Sequence, residues 1–123
     1  MSSLDPAPQD EEARATAPER RAFVRYASDL TAACQPANRH EGGWLAQVQD
    51  ISAGGLGLFL RHRFRPGTPL WVELRRRDGV PLRSVRVRVV YVHPAQVEGQ
   101  VGWRVGCAFA TPLSGDELQS LLS

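Results

Sequence analysis

The chain contains no lysine; all 15 of its basic residues are arginine. Any anion it binds through side-chain cations is therefore met by planar guanidinium forks, which hold a phosphate through two parallel hydrogen bonds and also fit the O6/N7 edge of guanine. Cysteine is scarce: Cys34 and Cys107 lie far apart, with no C-x-x-C spacing and no neighbouring histidine. That spacing excludes a zinc-type cluster and leaves two reduced, buried thiols as the expectation, with no structural disulfide. No run approaches the roughly 18 apolar residues that a membrane-crossing helix needs, and the N-terminus lacks a basic start followed by an apolar stretch. A cytoplasmic protein without membrane insertion is expected. Catalytic groupings are also missing, because Ser52 has no G-x-S-x-G elbow and His40, His62 and His93 are scattered without base or metal-ligand spacing. The chain reads as a non-enzyme without metal or cofactor. Gly55-Leu56-Gly57 is too short for a dinucleotide fingerprint, since it follows a turn and enters a strand. There is no internal repeat.

Charge is present but unevenly placed. Residues 1–19 carry Asp5, Asp10, Glu11, Glu12 and Glu19 against Arg14 alone, a net of −4, so the formal total of +2 leaves +6 on the remainder. A basic body has an affinity for anions: nucleotides, nucleic acid or an acidic partner. Residues 1–18, rich in Ser, Ala, Pro and acids with Leu4 as their large apolar group, are predicted to be a disordered tail. Residues 19–123 are then one folded domain, long enough to bury a core.

From Phe23 onward apolar residues recur with a period near two, in short bursts between turn residues, the pattern of an antiparallel all-β unit. Strands are predicted over Leu30–Cys34, Trp44–Gln49, Leu56–Leu60, Leu70–Arg75, Arg83–Val92 and Trp103–Phe109. Pro66-Gly67 and Asp78-Gly79 mark turns, and His93–Gln100 is predicted to be a loop. Alternation is clearest from Arg83 to Val89 and fails at Val90–Val92, which predicts burial on both faces or a bulge. Ser114 and Glu117 form a capping box for a short helix bearing Leu118, Leu121 and Leu122. The sum is a six-stranded antiparallel, Greek-key-like barrel with a short C-terminal α-helix.

Two polar clusters carry the chemistry. Arg20, Arg21 and Arg25 gather guanidinium groups just before the first strand, with Arg21 and Arg25 in R-x-x-x-R spacing. Asp50, Ser52, Gly54 and Gly55 form a D-x-S-x-x-G bend between two apolar runs. A carboxylate beside a phosphate site is repulsive unless it accepts from a base N–H edge or pairs with an arginine, so the mixture suits a ligand with both phosphates and a purine. Ser52 can donate or accept, while Gly54 and Gly55 permit φ > 0 and close approach of ligand to main chain.

These motifs, with Gly55-Leu56-Gly57-Leu58, the turn Pro66–Leu70, the strand Val85–Tyr91 and the run Val105-Gly106-Cys107-Ala108-Phe109, resemble the PilZ family of bacterial cyclic di-GMP receptors over residues 19–122. The resemblance implies a six-stranded barrel with a C-terminal helix. It further implies that Arg21 and Arg25 grip the phosphates and guanine edges of cyclic di-GMP, that Asp50, Ser52 and Gly55 form the opposite wall, and that Arg20 stacks on or pairs with a second guanine. In this reading residues 19–26 are mobile without ligand and wrap onto the barrel with it, repositioning the acidic tail and creating a surface for a downstream protein partner.

Two other classes compete. Arg75-Arg76-Arg77 with Arg83, Arg86 and Arg88 could track a nucleic-acid backbone while Trp44, Trp71 and Trp103 stack bases, although tryptophans on alternating strands are more often core. The same fold could also serve as a protein-interaction module that binds no nucleotide.

Overall fold

Apolar side chains at every second position give each strand one face for the interior, and the six long strands close on one another to bury it. In the computed structural model, which describes residues 24–38 and 43–123, the strands are β1 (Tyr26–Ala27), β2 (Thr31–Pro36), β3 (Trp44–Ile51), β4 (Gly55–Leu60), β5 (Pro69–Arg75), β6 (Pro81–Val97) and β7 (Gln100–Phe109). One helix, α1 (Gly115–Leu122), follows. All pairings are antiparallel, in the order β3-β2-β5-β6-β7-β4, and a further pairing of β4 with β3 closes the ring. The predicted six-stranded barrel with a C-terminal helix is therefore the observed one. The short β1, which the sequence pattern did not reveal, lies against the far end of β3 through Tyr26↔Ile51 and Ala27↔Asp50.

Leu56, Leu58, Leu70, Val72, Leu74 and Val105 are fully buried in the interior, with Val85, Val87 and Val89 of the alternating run facing them. Cys34 and Cys107 are free and buried in the same core, and desolvation pushes each thiol up to about 12. A group whose folded pKa is raised stabilises the fold fully below its unfolded value, and that contribution is lost as pH rises through the folded value. Stability measured by denaturant titration is thus expected to fall from about pH 9 toward about pH 12. A thiol reagent at pH 8 should react with either cysteine only under unfolding conditions.

Helix α1 begins as its sequence signals. Ser114 Oγ accepts from the Glu117 amide at 3.1 Å, and Glu117 Oε1 accepts from the Ser114 amide at 2.7 Å. Leu121 is buried, Leu118 and Leu122 pack against the core, and Glu117 pairs with Arg83 of β6. Ser114→Ala should lower stability by about 1 kcal/mol, the usual loss for an N-cap hydroxyl, read as a shift in denaturation midpoint.

One expected loop is instead a hairpin. Strand β6 runs on through Pro94 to Val97, and the chain reverses at Glu98 and Gly99, with φ of 51° and 80°. Two successive left-handed residues make the tight reversal that matches strand twist. Pro94 is tolerated because β5 pairs with β6 only as far as Arg88, so its missing N–H falls on an open edge.

Candidate functional site

Two β-bulges re-aim the side chains that define the outer face of β3, β4, β7 and β6. On β3, Ala46 and Val48 point inward, and uninterrupted alternation would send Asp50 inward as well. The register shifts between Val48 and Asp50, so that Gln49 is the extra residue, Asp50 turns outward and Ile51 takes the buried position. On β6 the shift lies between Val89 and Tyr91; Val90 is the extra residue, 41% exposed, and Tyr91 joins the outer face. Of the two alternatives predicted for Val90–Val92, the bulge is what forms. Bulges of this kind commonly redirect side chains beside functional sites.

The register then sets four residues in a row across the strands: Asp50, Gly57, Gly106 and Tyr91. The two central glycines leave space that other side chains fill. A Cβ on Gly57 would stand 2.3 Å from Nη2 of Arg104, and one on Gly106 would stand 2.1 Å from Cε2 of Tyr91. Arg104 therefore lies flat across the sheet, gripped from both ends of the row. Its Nη2 donates to Asp50 Oδ2 at 2.8 Å, its Nη1 to Gln49 Oε1 at 2.8 Å and its Nε to Tyr91 Oη at 3.3 Å. The other oxygen of Asp50 accepts from Arg25 Nη1 at 2.6 Å, since β1 pairing holds the chain beside Asp50.

One carboxylate thus holds two guanidinium groups, and the cluster keeps one net positive charge at an open surface. Partial burial lowers the pKa of Arg104, but its bonds to Tyr91 and Asp50 and the Asp50 charge outweigh burial and leave it raised. The side chains of Arg25, Arg104 and Asp50 are 39%, 24% and 23% exposed, accessible to a ligand from solvent. Tyr91 and His93 stand side by side along the β6 rim, with ring centroids 4.9 Å apart. Guanidinium forks, a carboxylate acceptor and an aromatic rim can together receive phosphate oxygens, a base N–H edge and a flat ring.

Asp50 and Arg25 meet as paired partners, one of the two roles open to the carboxylate from sequence. Ser52 and the glycines are placed differently from expectation. Ser52 is 2% exposed, and its hydroxyl accepts from the amides of Gly54 and Gly55, each at 3.2 Å, and donates to the Gly55 carbonyl at 3.3 Å. It shapes the bend from within instead of lining a wall. Neither Gly54 nor Gly55 takes a positive φ. Gly55 is required for close packing, because a Cβ there would stand 2.1 Å from the Cys107 carbonyl oxygen. Gly54 accepts, through its carbonyl, the Phe109 amide at 2.9 Å. Arg20 and Arg21 lie outside the described residues, as do residues 1–18.

Arg104, Gln49 and Tyr91 were not singled out from sequence. The signal for Arg104 was available: in Trp103-Arg104-Val105-Gly106, alternation places Arg104 on the face of Gly106. Trp44 and Trp103 are partly buried against the core, while Trp71 is 46% exposed. Among the described residues no group of three or more His, Cys, Asp or Glu could hold a metal ion, and no helix is long and apolar enough to cross a membrane.

The PilZ domain family matches residues 19–123. No curated protein matches the sequence. Among solved structures, the chain is similar to the PilZ domain with c-di-GMP of YcgR from Escherichia coli, with a TM-score of 0.63 at 17% identity, covering 84% of this chain and 86% of that one. It is also similar to the K. pneumonia MrkH–c-di-GMP complex, with a TM-score of 0.60 at 16% identity over 84% of this chain and 49% of that one. The Bacillus subtilis inhibitor of motility MotI/DgrA gives a TM-score of 0.56 at 21% identity over 84% of this chain and 48% of that one. The chain thus spans about half the length of the latter two, and at these identities the likeness is one of fold.

Proposed function

This chain belongs to the PilZ domain family, and on that premise we propose that it is a cytoplasmic receptor for cyclic di-GMP that passes the signal to a protein partner. The observation that carries the reading is the Arg25–Asp50–Arg104 cluster: one carboxylate presenting two guanidinium groups on an open, glycine-floored face. Cyclic di-GMP offers two phosphates and two guanines, and the cluster has a counterpart for each. The guanidinium forks take phosphate oxygens or the guanine O6/N7 edge, and Asp50 exchanges an arginine for the guanine N–H edge. Arg21, in R-x-x-x-R spacing with Arg25, and the adjacent Arg20 are proposed as further guanidinium groups for the ligand. Ser52, Gly54 and Gly55 hold the bend that fixes Asp50. Two of the solved relatives are described with c-di-GMP bound, which supports the same ligand here.

The nucleic-acid reading loses half of its arginine row. Arg75 pairs with Glu73 at 2.6 Å, Arg76 with Asp78 at 2.8 Å, and Arg83 with Glu117. Three of the six arginines in that row are thus already neutralised by carboxylates, which weakens it as a phosphate track.

Equilibrium binding of labelled cyclic di-GMP to the full chain tests the proposal. Saturable binding, displaced by unlabelled cyclic di-GMP and indifferent to a single-stranded oligonucleotide, is expected. Absence of saturable binding, or displacement by the oligonucleotide with steep salt dependence, would overturn it.

A further inference from the structure

On the wall made by β5 and the first half of β6, away from the Asp50 cluster, the outer face carries a different chemistry. Trp71 of β5 is 46% exposed, and its cross-strand partner Arg86 places its guanidinium 5.3 Å from the indole centroid. Beside them Pro69 faces Arg88, and Val90, outward-facing by alternation with the buried Val89, is 41% exposed. Among the described residues, Arg86 has no carboxylate partner and Arg88 donates only to the Gly67 carbonyl, at 2.8 Å. This contrasts with Arg75, Arg76 and Arg83, each of which the fold neutralises with its own acid.

An exposed tryptophan stacked with an uncompensated arginine, on an apolar floor of proline and valine, has the composition of an interface hot spot. Nothing in the barrel requires it, since Leu70 and Val72 on the opposite side of the same strand already supply the core. We infer that the Trp71–Arg86–Arg88 face is a docking surface for an acidic protein segment that inserts an apolar side chain beside Trp71 and sets carboxylates against the two arginines. Charge complementarity selects the sign of the partner: two positive charges without a counter-ion among the described residues attract carboxylates and repel a basic segment. A protein segment fits better than a nucleic-acid strand, because base stacking along a strand uses successive aromatic platforms. Here Trp71 stands alone, with Trp44 and Trp103 tucked against the core.

This surface goes beyond nucleotide binding and does not use Arg25, Asp50 or Arg104. It is tested by placing the photoreactive residue benzoylphenylalanine at Ser84, an exposed position opposite Glu73 and next to Arg86 on β6. The full-length protein is cross-linked in its host cells and the adduct sequenced by mass spectrometry. The expected result is a discrete protein adduct whose cross-linked segment is net acidic. Trp71→Ala and Arg86→Glu should each lower its yield by about tenfold or more, as for loss of a hot spot, whereas Arg25→Ala leaves adduct formation intact. Unchanged cyclic di-GMP affinity in Trp71→Ala shows that the barrel is still folded. No protein adduct, a nucleic-acid adduct, a neutral or basic segment, or a yield indifferent to Arg86→Glu would each overturn the inference. If the nucleotide reading failed instead, labelled cyclic di-GMP would not bind while the adduct persisted.

Discussion

Arg25→Ala is expected to weaken cyclic di-GMP binding by about 2 to 5 kcal/mol, the range for truncating one partner of a charge pair that binding desolvates; this is roughly 30-fold to several-thousand-fold in Kd. In the free protein Arg25 is 39% exposed and, among the described residues, bonded to Asp50 alone, so its removal should change stability little. Once ligand covers the face, the same removal strands a phosphate or a guanine edge without its fork. Arg104→Ala should have an effect of similar size, with an additional signature because Arg104 also ties Asp50 to Gln49 and Tyr91. Arg25→Lys restores the charge without the planar fork and should recover part of the loss. Calorimetric titration of the four proteins checks this series. Affinity unchanged in Arg25→Ala would remove that side chain from the site.

The second large effect separates two neighbouring glycines. At Gly55 a new Cβ would meet backbone, the Cys107 carbonyl oxygen at 2.1 Å and the Ala108 Cα at 3.2 Å, and neither can move without parting β4 from β7. Gly55→Ala should therefore destabilise the fold by about 1 to 3 kcal/mol or more, the usual range for overpacking. At Gly57 the three atoms nearest a new Cβ all belong to the guanidinium tip of Arg104, the first at 2.3 Å. That tip can swing away, so Gly57→Ala should keep most of its stability while displacing Arg104 and weakening nucleotide binding. Denaturant titration and ligand binding, run on both variants, test the division. Equal stability losses in the two proteins would contradict it.

The difference between these glycines also marks what could be seen in the sequence. D-x-S-x-x-G was legible as a motif, yet its glycines read there as φ > 0 positions, and only the pairing of β4 with β7 shows that Gly55 serves close strand approach. Ser52 likewise carried the right residue type for a ligand contact, and only burial shows its hydroxyl bonded within its own bend. The barrel was readable because alternation in β5, β6 and β7 is strong, and the helix because Ser114 and Glu117 spell a capping box. Arg104 was missed because its partners Asp50 and Tyr91 reach it through two bulges. A bulge changes which face a residue occupies without leaving a firm mark in composition. The break in alternation at Val90 was visible, but its consequence, the outward turn of Tyr91, was not. The His93–Gln100 segment was misread because Pro94 and the unusual turn residue Glu98 hide a hairpin.

The most direct test of the proposed receptor site is a map of backbone amide resonances during titration of the full chain with cyclic di-GMP. The account predicts saturable shifts centred on Asp50–Gly57 and Arg104–Gly106, extending to Arg25 and Tyr91 and lost in Arg25→Ala. Shifts confined to the Trp71 face, or a spectrum unchanged at high nucleotide concentration, would contradict it.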